Sequence, residues 1–428
     1  MKKKIQKKTH FKKKISVKPK VFKKIEKKVE KKKEIPPKPY QLKDLDKPAE
    51  ISSYFGFMAV KTPEITKDDI SKTKSFKEPT TGAHQENTSA PDFHLLLEEK
   101  IALLRMYFAE NMNALPQPVL LYYKKPFAGI PTKKTREHQY GLEILGTSKS
   151  VAEATIIKTA FAILEEEGFT NMCVDINSVG DKESMARFER ELALYLKKNS
   201  NDIPAVCKTL FKKDIYEILK SEEEKCVPLK ENAPKAISCL SELSRQHFKE
   251  VLEFLETLEI PYRINNTLLG SKNYCSQTIF EIKTEKGELL AVGMRYNSLA
   301  KKIGAKKEVP AIGVSFCYKK PVGTNKKISL KNLPKPKFYL VQLGFEAKLK
   351  SLNIIDEMRK ARSPICHSLT KDMCMSQIGV AENMKIPYMV IIGQKEAMEN
   401  TVIVRNSNTR AQDTVHIKNL AGHAKKLK

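Results

Sequence analysis

Residues 260–281 read Ile260-Pro-Tyr-Arg-Ile-Asn-Asn-Thr-Leu-Leu-Gly270-Ser-Lys-Asn-Tyr-Cys-Ser-Gln-Thr-Ile-Phe-Glu281. A helix feeds this stretch: Phe248, Val251, Leu252, Leu255 and Leu258 fall at helical spacing and make one apolar stripe. Pro261 stops that helix, and a strand begins.

Elements on either side follow from the same rules. Upstream, the spacing predicts a helix over 95–108, with Leu96, Leu103 and Met106 among its apolar positions. Residues 139–144 predict a strand whose period of two puts Gln139, Gly141 and Glu143 on one face and Tyr140, Leu142 and Ile144 on the other. A glutamine and a glutamate flanking a glycine make a polar floor that suits a small amine or imidazole; the plainer alternative is a half-exposed strand with a wet face. Ser150 and Glu153 have capping-box spacing ahead of a helix over 151–167, which Gly168 closes. A strand over 172–176 precedes an amphipathic helix carrying Met185, Phe188, Leu192 and Tyr195. Residues 65–91 are polar and read as a long loop or insertion. Beyond a Pro/Lys/Asn-rich linker at 321–336, strands are expected at 338–343, 388–393, 401–406 and 414–417, with helices between them.

Charge bounds the partners. The 428 residues carry a net +28, so polyanions should be attracted in a salt-dependent way. Residues 1–38 hold eighteen lysines, three glutamates and no arginine, and read as a disordered tail. Phe22, Ile25 and Val29 in it are spaced for a basic amphipathic helix on contact with RNA or an anionic surface. No apolar run approaches bilayer length and no secretory h-region opens the chain, so no integral membrane association and a cytoplasmic location are expected. Cysteines 173, 207, 226, 239, 275, 317, 366 and 374 lack paired spacing, which predicts free thiols and no metal site.

Several further segments, in order, resemble the histidyl-tRNA synthetase family. The quoted stretch lies over the family's Y-x-V-N-x-x-L-V-R-G-L-D-Y-Y-x-R-T-V-F-E and shares Tyr262, Asn265, Leu268, Tyr274, Thr278, Phe280 and Glu281. Residues 49–64, through Tyr54-Phe55-Gly56-Phe57, resemble the first class II motif, which implies a homodimer interface. Glu98, Arg105, Met106 and Tyr107 match P-E-x-T-x-x-x-x-R-M-Y, with Lys100 in place of the threonine. Residues 121–129 lie over motif 2, and His138, Gln139, Gly141, Glu143 and Gly146 match F-H-Q-x-G-x-E-x-x-G. Val292-Gly293-Met294-Arg295-Tyr296 resembles G-G-G-R-Y, and residues 310–320 lie over motif 3. Residues 386–412 resemble the family's anticodon-binding domain.

The resemblance implies an α+β class II synthetase-like core, an antiparallel sheet flanked by helices, over 39–320, with a helical insertion at about 182–241. A smaller α/β anticodon-binding-type domain is implied over 337–428. Substrate-binding positions carried over are Glu98, Gln139, Glu143, Tyr274, Arg295 and Tyr296. The family's phosphate-gripping arginines read Gly129, Gly270 and Lys320, and its second tyrosine reads Cys275. The expected protein is therefore a catalytically degenerate relative that binds tRNA or another structured RNA, with histidine a candidate ligand and no cofactor. An active histidine–tRNA ligase would use ATP and Mg. A regulatory subunit of histidine biosynthesis is the third class, against which the 337–428 block argues, because relatives of that type generally lack it.

Overall fold

A computed structural model describes residues 46–76, 97–125, 127–128, 138–199, 203–204, 208, 215–216, 219, 224–321 and 335–427. The lysine-rich tail and most of the linker lie outside the described residues.

The centre is an eight-stranded sheet: β1 (Met58–Ala59), β2 (Val119–Lys124), β3 (His138–Leu145), β4 (Met172–Gly180), β5 (Tyr262–Ile264), β6 (Ser276–Thr284), β7 (Leu289–Arg295) and β8 (Ala311–Tyr318). Their order is β1-β2-β3-β8-β7-β6-β4-β5. From β2 to β4 every pairing is antiparallel, and only the two edge pairs, β1·β2 and β4·β5, are parallel. The strand alternation sorts side chains cleanly. Tyr140, Leu142, Ile144, Val314 and Phe316 join the core beneath α4 (Val151–Glu166) and the helix Glu242–Thr257. Leu121, Tyr123, Met294 and Tyr296 face the other way, against α3 (Leu97–Ala109). β3 is thus covered on both faces, and the wet-face alternative fails.

The predicted helix ahead of Pro261 is present as Glu242–Thr257, N-capped by Ser241; Glu259, at φ +53°, turns the chain before the proline. Helix α4 ends at Glu166, with Gly168 at φ +98°. Two local expectations need correction. Ser150 makes no capping bond to α4: its hydroxyl donates to Glu250 at 2.6 Å, while Glu153 is drawn to Arg295. The stretch after Ile65 is not all loop, because α2 (Lys67–Ser75) forms there. Thr66 and Asp69 cap it reciprocally, and Arg105 pairs with Asp69 at 2.9 Å.

The segment expected as a helical insertion begins with α5 (Lys182–Lys198), capped by Asp181; Phe188, Leu192 and Leu196 pack with Leu229, Ala236 and Cys239. Cys226, buried in the same cluster, is disulfide-bonded. The expectation of free thiols fails there, because spacing along the chain does not report which sulfurs the fold brings together.

The smaller C-terminal domain is a five-stranded sheet in the order β10-β9-β11-β12-β13. Its strands are β9 (Phe338–Gln342), β10 (Ile365–His367), β11 (Tyr388–Ile392), β12 (Thr401–Asn406) and β13 (Gln412–His416). β10 is the one strand the pattern did not predict; at three residues it is too short to show alternation. Helix Phe345–Lys360 joins this domain to the core through ion pairs, Asp356 to Lys158 at 3.0 Å and Arg359 to Glu166 at 2.9 Å.

Candidate functional site

The site forms where β3 faces α3. Glu143 points from β3 into a space with no solvent exposure, and Lys100, also fully buried, reaches it from the first turn of α3. The Lys100 ammonium and the Tyr123 hydroxyl, the latter at 3.0 Å, both donate to Glu143 Oε1; the Tyr296 hydroxyl donates to Oε2 at 2.5 Å. Lys100 Nζ also stands 5.6 Å from the centre of the Tyr296 ring, within cation–π range. Burial first, and then the Glu143 charge, holds both phenols well above their ordinary pKa, so both keep the proton they donate.

Two glycines make this arrangement fit. Gly141 pairs with Tyr123 across the β2·β3 ladder, and a Cβ on it would lie 2.3 Å from the phenol ring. Gly313 pairs with Glu143 across β3·β8, and a Cβ there would lie 2.0 Å from the carboxylate. Any side chain at either position would displace the group the site is built on.

The stretch that opened the chain's reading supplies the second wall. A Cβ on Gly270 would meet the Cys275 sulfur at 2.5 Å, and that sulfur lies 3.0 Å from the sulfur of Met294. Gly270, Cys275 and Met294 all depart from the family pattern, and the Cys275 sulfur packs against both of the others. Space that an arginine and a tyrosine would take is refilled. Tyr274 is buried in the same cluster.

The carried-over positions do not all converge. Glu143 and Tyr296 meet directly. Gln139 lies on the same strand and donates to Cys317 at 3.5 Å. Glu98 is buried on α3 two residues before Lys100. Its neighbour Glu99 pairs with Lys125 at 2.8 Å; burial still raises the Glu99 pKa against that pairing. Arg295 points the other way. Its guanidinium grips Glu153, at 2.6 Å from Nε, and the carbonyl of Thr147 at 2.8 Å, in a fully buried clamp between β7 and α4. Arg295 is thus a buried strut that faces away from Glu143, because neighbouring strand residues face opposite sides. Tyr123 is a site residue that the sequence reading does not single out, and Lys100 enters that reading only as the residue in place of a threonine. Lys100 had a visible signal: it falls three residues after Leu97 and four before Leu104, on the apolar stripe of α3, where a lysine needs a partner.

Of the three positions where the family pattern has phosphate-binding arginines, Gly129 lies outside the described residues. Gly270 has no room for a side chain, and Lys320 pairs with Glu167 at 2.6 Å. The described positions do not fit an ATP α-phosphate, since neither presents a guanidinium. Among the described residues no group of three His, Cys, Asp or Glu could hold a metal ion.

An eight-stranded, largely antiparallel sheet followed by a smaller α/β domain defines a class II aminoacyl-tRNA synthetase-type chain, and the model of the anticodon binding domain matches residues 339–427. The histidine–tRNA ligase of Halothermothrix orenii is 28% identical over 400 residues, covering 89% of this chain and 94% of that one. The ligase of Dehalococcoides mccartyi is 25% identical over 395 residues, covering 88% and 93%. The apo histidyl-tRNA synthetase structure from S. aureus aligns with a TM-score of 0.47 at 20% identity, over 88% of this chain and 93% of that one. The chain is thus similar to histidine–tRNA ligases along most of its length, and its C-terminal domain matches the anticodon binding domain.

Proposed function

We propose that this chain is a family member that no longer forms an aminoacyl-adenylate and that acts by binding tRNA or another structured RNA, in the cytoplasm and as a homodimer. The packing of Gly270, Cys275 and Met294 carries the first half of this reading. Joining a carboxylate to the α-phosphate of ATP gathers negative charge, and losing one preorganised donor to that charge costs about 10² to 10³ in rate. Several losses in one site need not multiply. A glycine whose missing side chain is replaced by neighbouring sulfur leaves no charge to compensate, and the Lys320 ammonium is already engaged by Glu167.

The second half rests on charge. The net +28 favours phosphate backbones, and the C-terminal domain belongs to a class named for anticodon binding. The α1 helix (Lys47–Tyr54), Gly56 and β1 form the segment whose sequence resembles the first class II motif, which supports the homodimer reading. The test is filter binding of tRNA across a salt series, with charging by labelled histidine measured on the same preparation. With six or more phosphate contacts, affinity should fall about 10³-fold or more between roughly 50 and 200 mM salt, with no charging. Charging of tRNA, or no affinity for tRNA at low salt, would overturn the reading.

A further inference from the structure

The carboxylate at the heart of the site is already saturated by the chain itself. Glu143 accepts from one ammonium and two phenols, all fully buried, and the ammonium lies against an aromatic face. A buried carboxylate ringed by phenol donors and an aromatic ring is the chemistry that recognises a small organic ammonium. Here that cation arrives on a tether from α3. We propose that Lys100 is an internal ligand: its ammonium fills the one place at Glu143 where a primary ammonium would bind, and the pocket is closed to such ligands while Lys100 is present.

Three observations converge on this. Lys100 and Glu143 come from elements 43 residues apart and meet with no solvent between them. Gly313 leaves no spare volume beside the carboxylate, so a second cation cannot share it. Gly141 lets Tyr123 lie across the strand and close the polar floor from the other side. The floor read from Gln139, Gly141 and Glu143 is real, but its occupant is covalently attached.

Lys100→Ala deletes three methylenes and the ammonium, which is the size and charge of n-propylammonium. The variant should lose roughly 5 to 10 °C of thermal midpoint, because an uncompensated buried carboxylate is left behind. Added n-propylammonium chloride should restore part of that loss saturably, beyond the effect of equal sodium chloride. Wild-type protein should show no saturable shift with n-propylammonium or histidine. The double variant Lys100→Met/Glu143→Gln, with no buried charge, should fold and show no rescue. If Lys100→Ala fails to fold alone, its refolding yield with and without n-propylammonium reads the same quantity. Absence of rescue, or saturable binding of histidine or n-propylammonium by the wild-type protein, would overturn the inference. It deepens the proposed function and is separable from it: charging of tRNA would sink that reading, whereas failed rescue with tRNA binding intact would sink this one alone.

Discussion

Replacing Arg295 tests whether it is a strut or a substrate contact. In the structure it is fully buried, bound to both carboxylate oxygens of Glu153 and to the carbonyls of Thr147 and Lys149. Burial pushes the Glu153 pKa up, but Arg295, followed by His247, outweighs it and brings the value from 4.5 down to about 2. At about 1.4 kcal/mol per unit, that shift corresponds to roughly 3 kcal/mol of folding free energy near neutrality. Removing one partner of a buried pair gives the same scale by a separate route, about 3 to 5 kcal/mol. Arg295→Met should therefore cost about 3 to 4 kcal/mol at pH 7, read by circular dichroism during urea unfolding, since the chain has no tryptophan. The pH dependence is distinctive. The folded pKa lies below the unfolded one, so the wild-type contribution is complete above pH 4.5 and is lost as pH falls toward 2. The gap between wild type and variant should shrink over that window, where Glu153 can take up a proton instead of standing buried and charged. A loss under about 1 kcal/mol at pH 7, or one that does not change with pH, would refute the strut.

Other outcomes follow from single contacts. Gly313→Ala should destabilise the protein by about 2 kcal/mol or more, because its methyl would stand 2.0 Å from the Glu143 carboxylate; thermal denaturation checks this. Gly270→Arg should lower the thermal midpoint without creating adenylation, since its first carbon meets Cys275; a gain in pyrophosphate exchange would contradict the repacked wall. His367 has its ring against Gly56, and burial lowers its pKa from 6.5 to about 4, only partly opposed by the nearby Phe55 backbone. The unfolded chain takes up a proton that the folded one refuses, so stability should fall as pH drops from 6.5 toward 4. His367→Gln should flatten that part of the pH profile.

Much of the fold could be read from spacing, because core helices and strands write their periods directly. The stripe ahead of Pro261 and the alternation from Gln139 to Ile144 both appear where expected. What escaped was decided by distant partners. Ser150 and Glu153 have the spacing of a cap, but Arg295, more than a hundred residues away, claims the carboxylate. Thr66 and Asp69 carry the same kind of spacing, but the polar residues around them show no helical stripe. Within the site, Glu143 and Tyr296 were legible as polar groups in a recognisable frame. Lys100 was legible only as a lost threonine, because one sequence does not show that its ammonium and the Glu143 carboxylate share a dry space. In the sequence Gly270 and Cys275 read as losses from the family pattern and Met294 as an added side chain. In space the Cys275 sulfur packs against both of the others.

The most direct test of a closed centre is histidine-dependent exchange of pyrophosphate into ATP by the purified chain, which isolates adenylation from every later step. A repacked arginine position and a Glu143 held by Lys100 predict no exchange above the level without histidine, at any histidine concentration. Exchange that rises and saturates with histidine would contradict this, and would mean that other cations have taken over the α-phosphate and that Lys100 gives way to substrate.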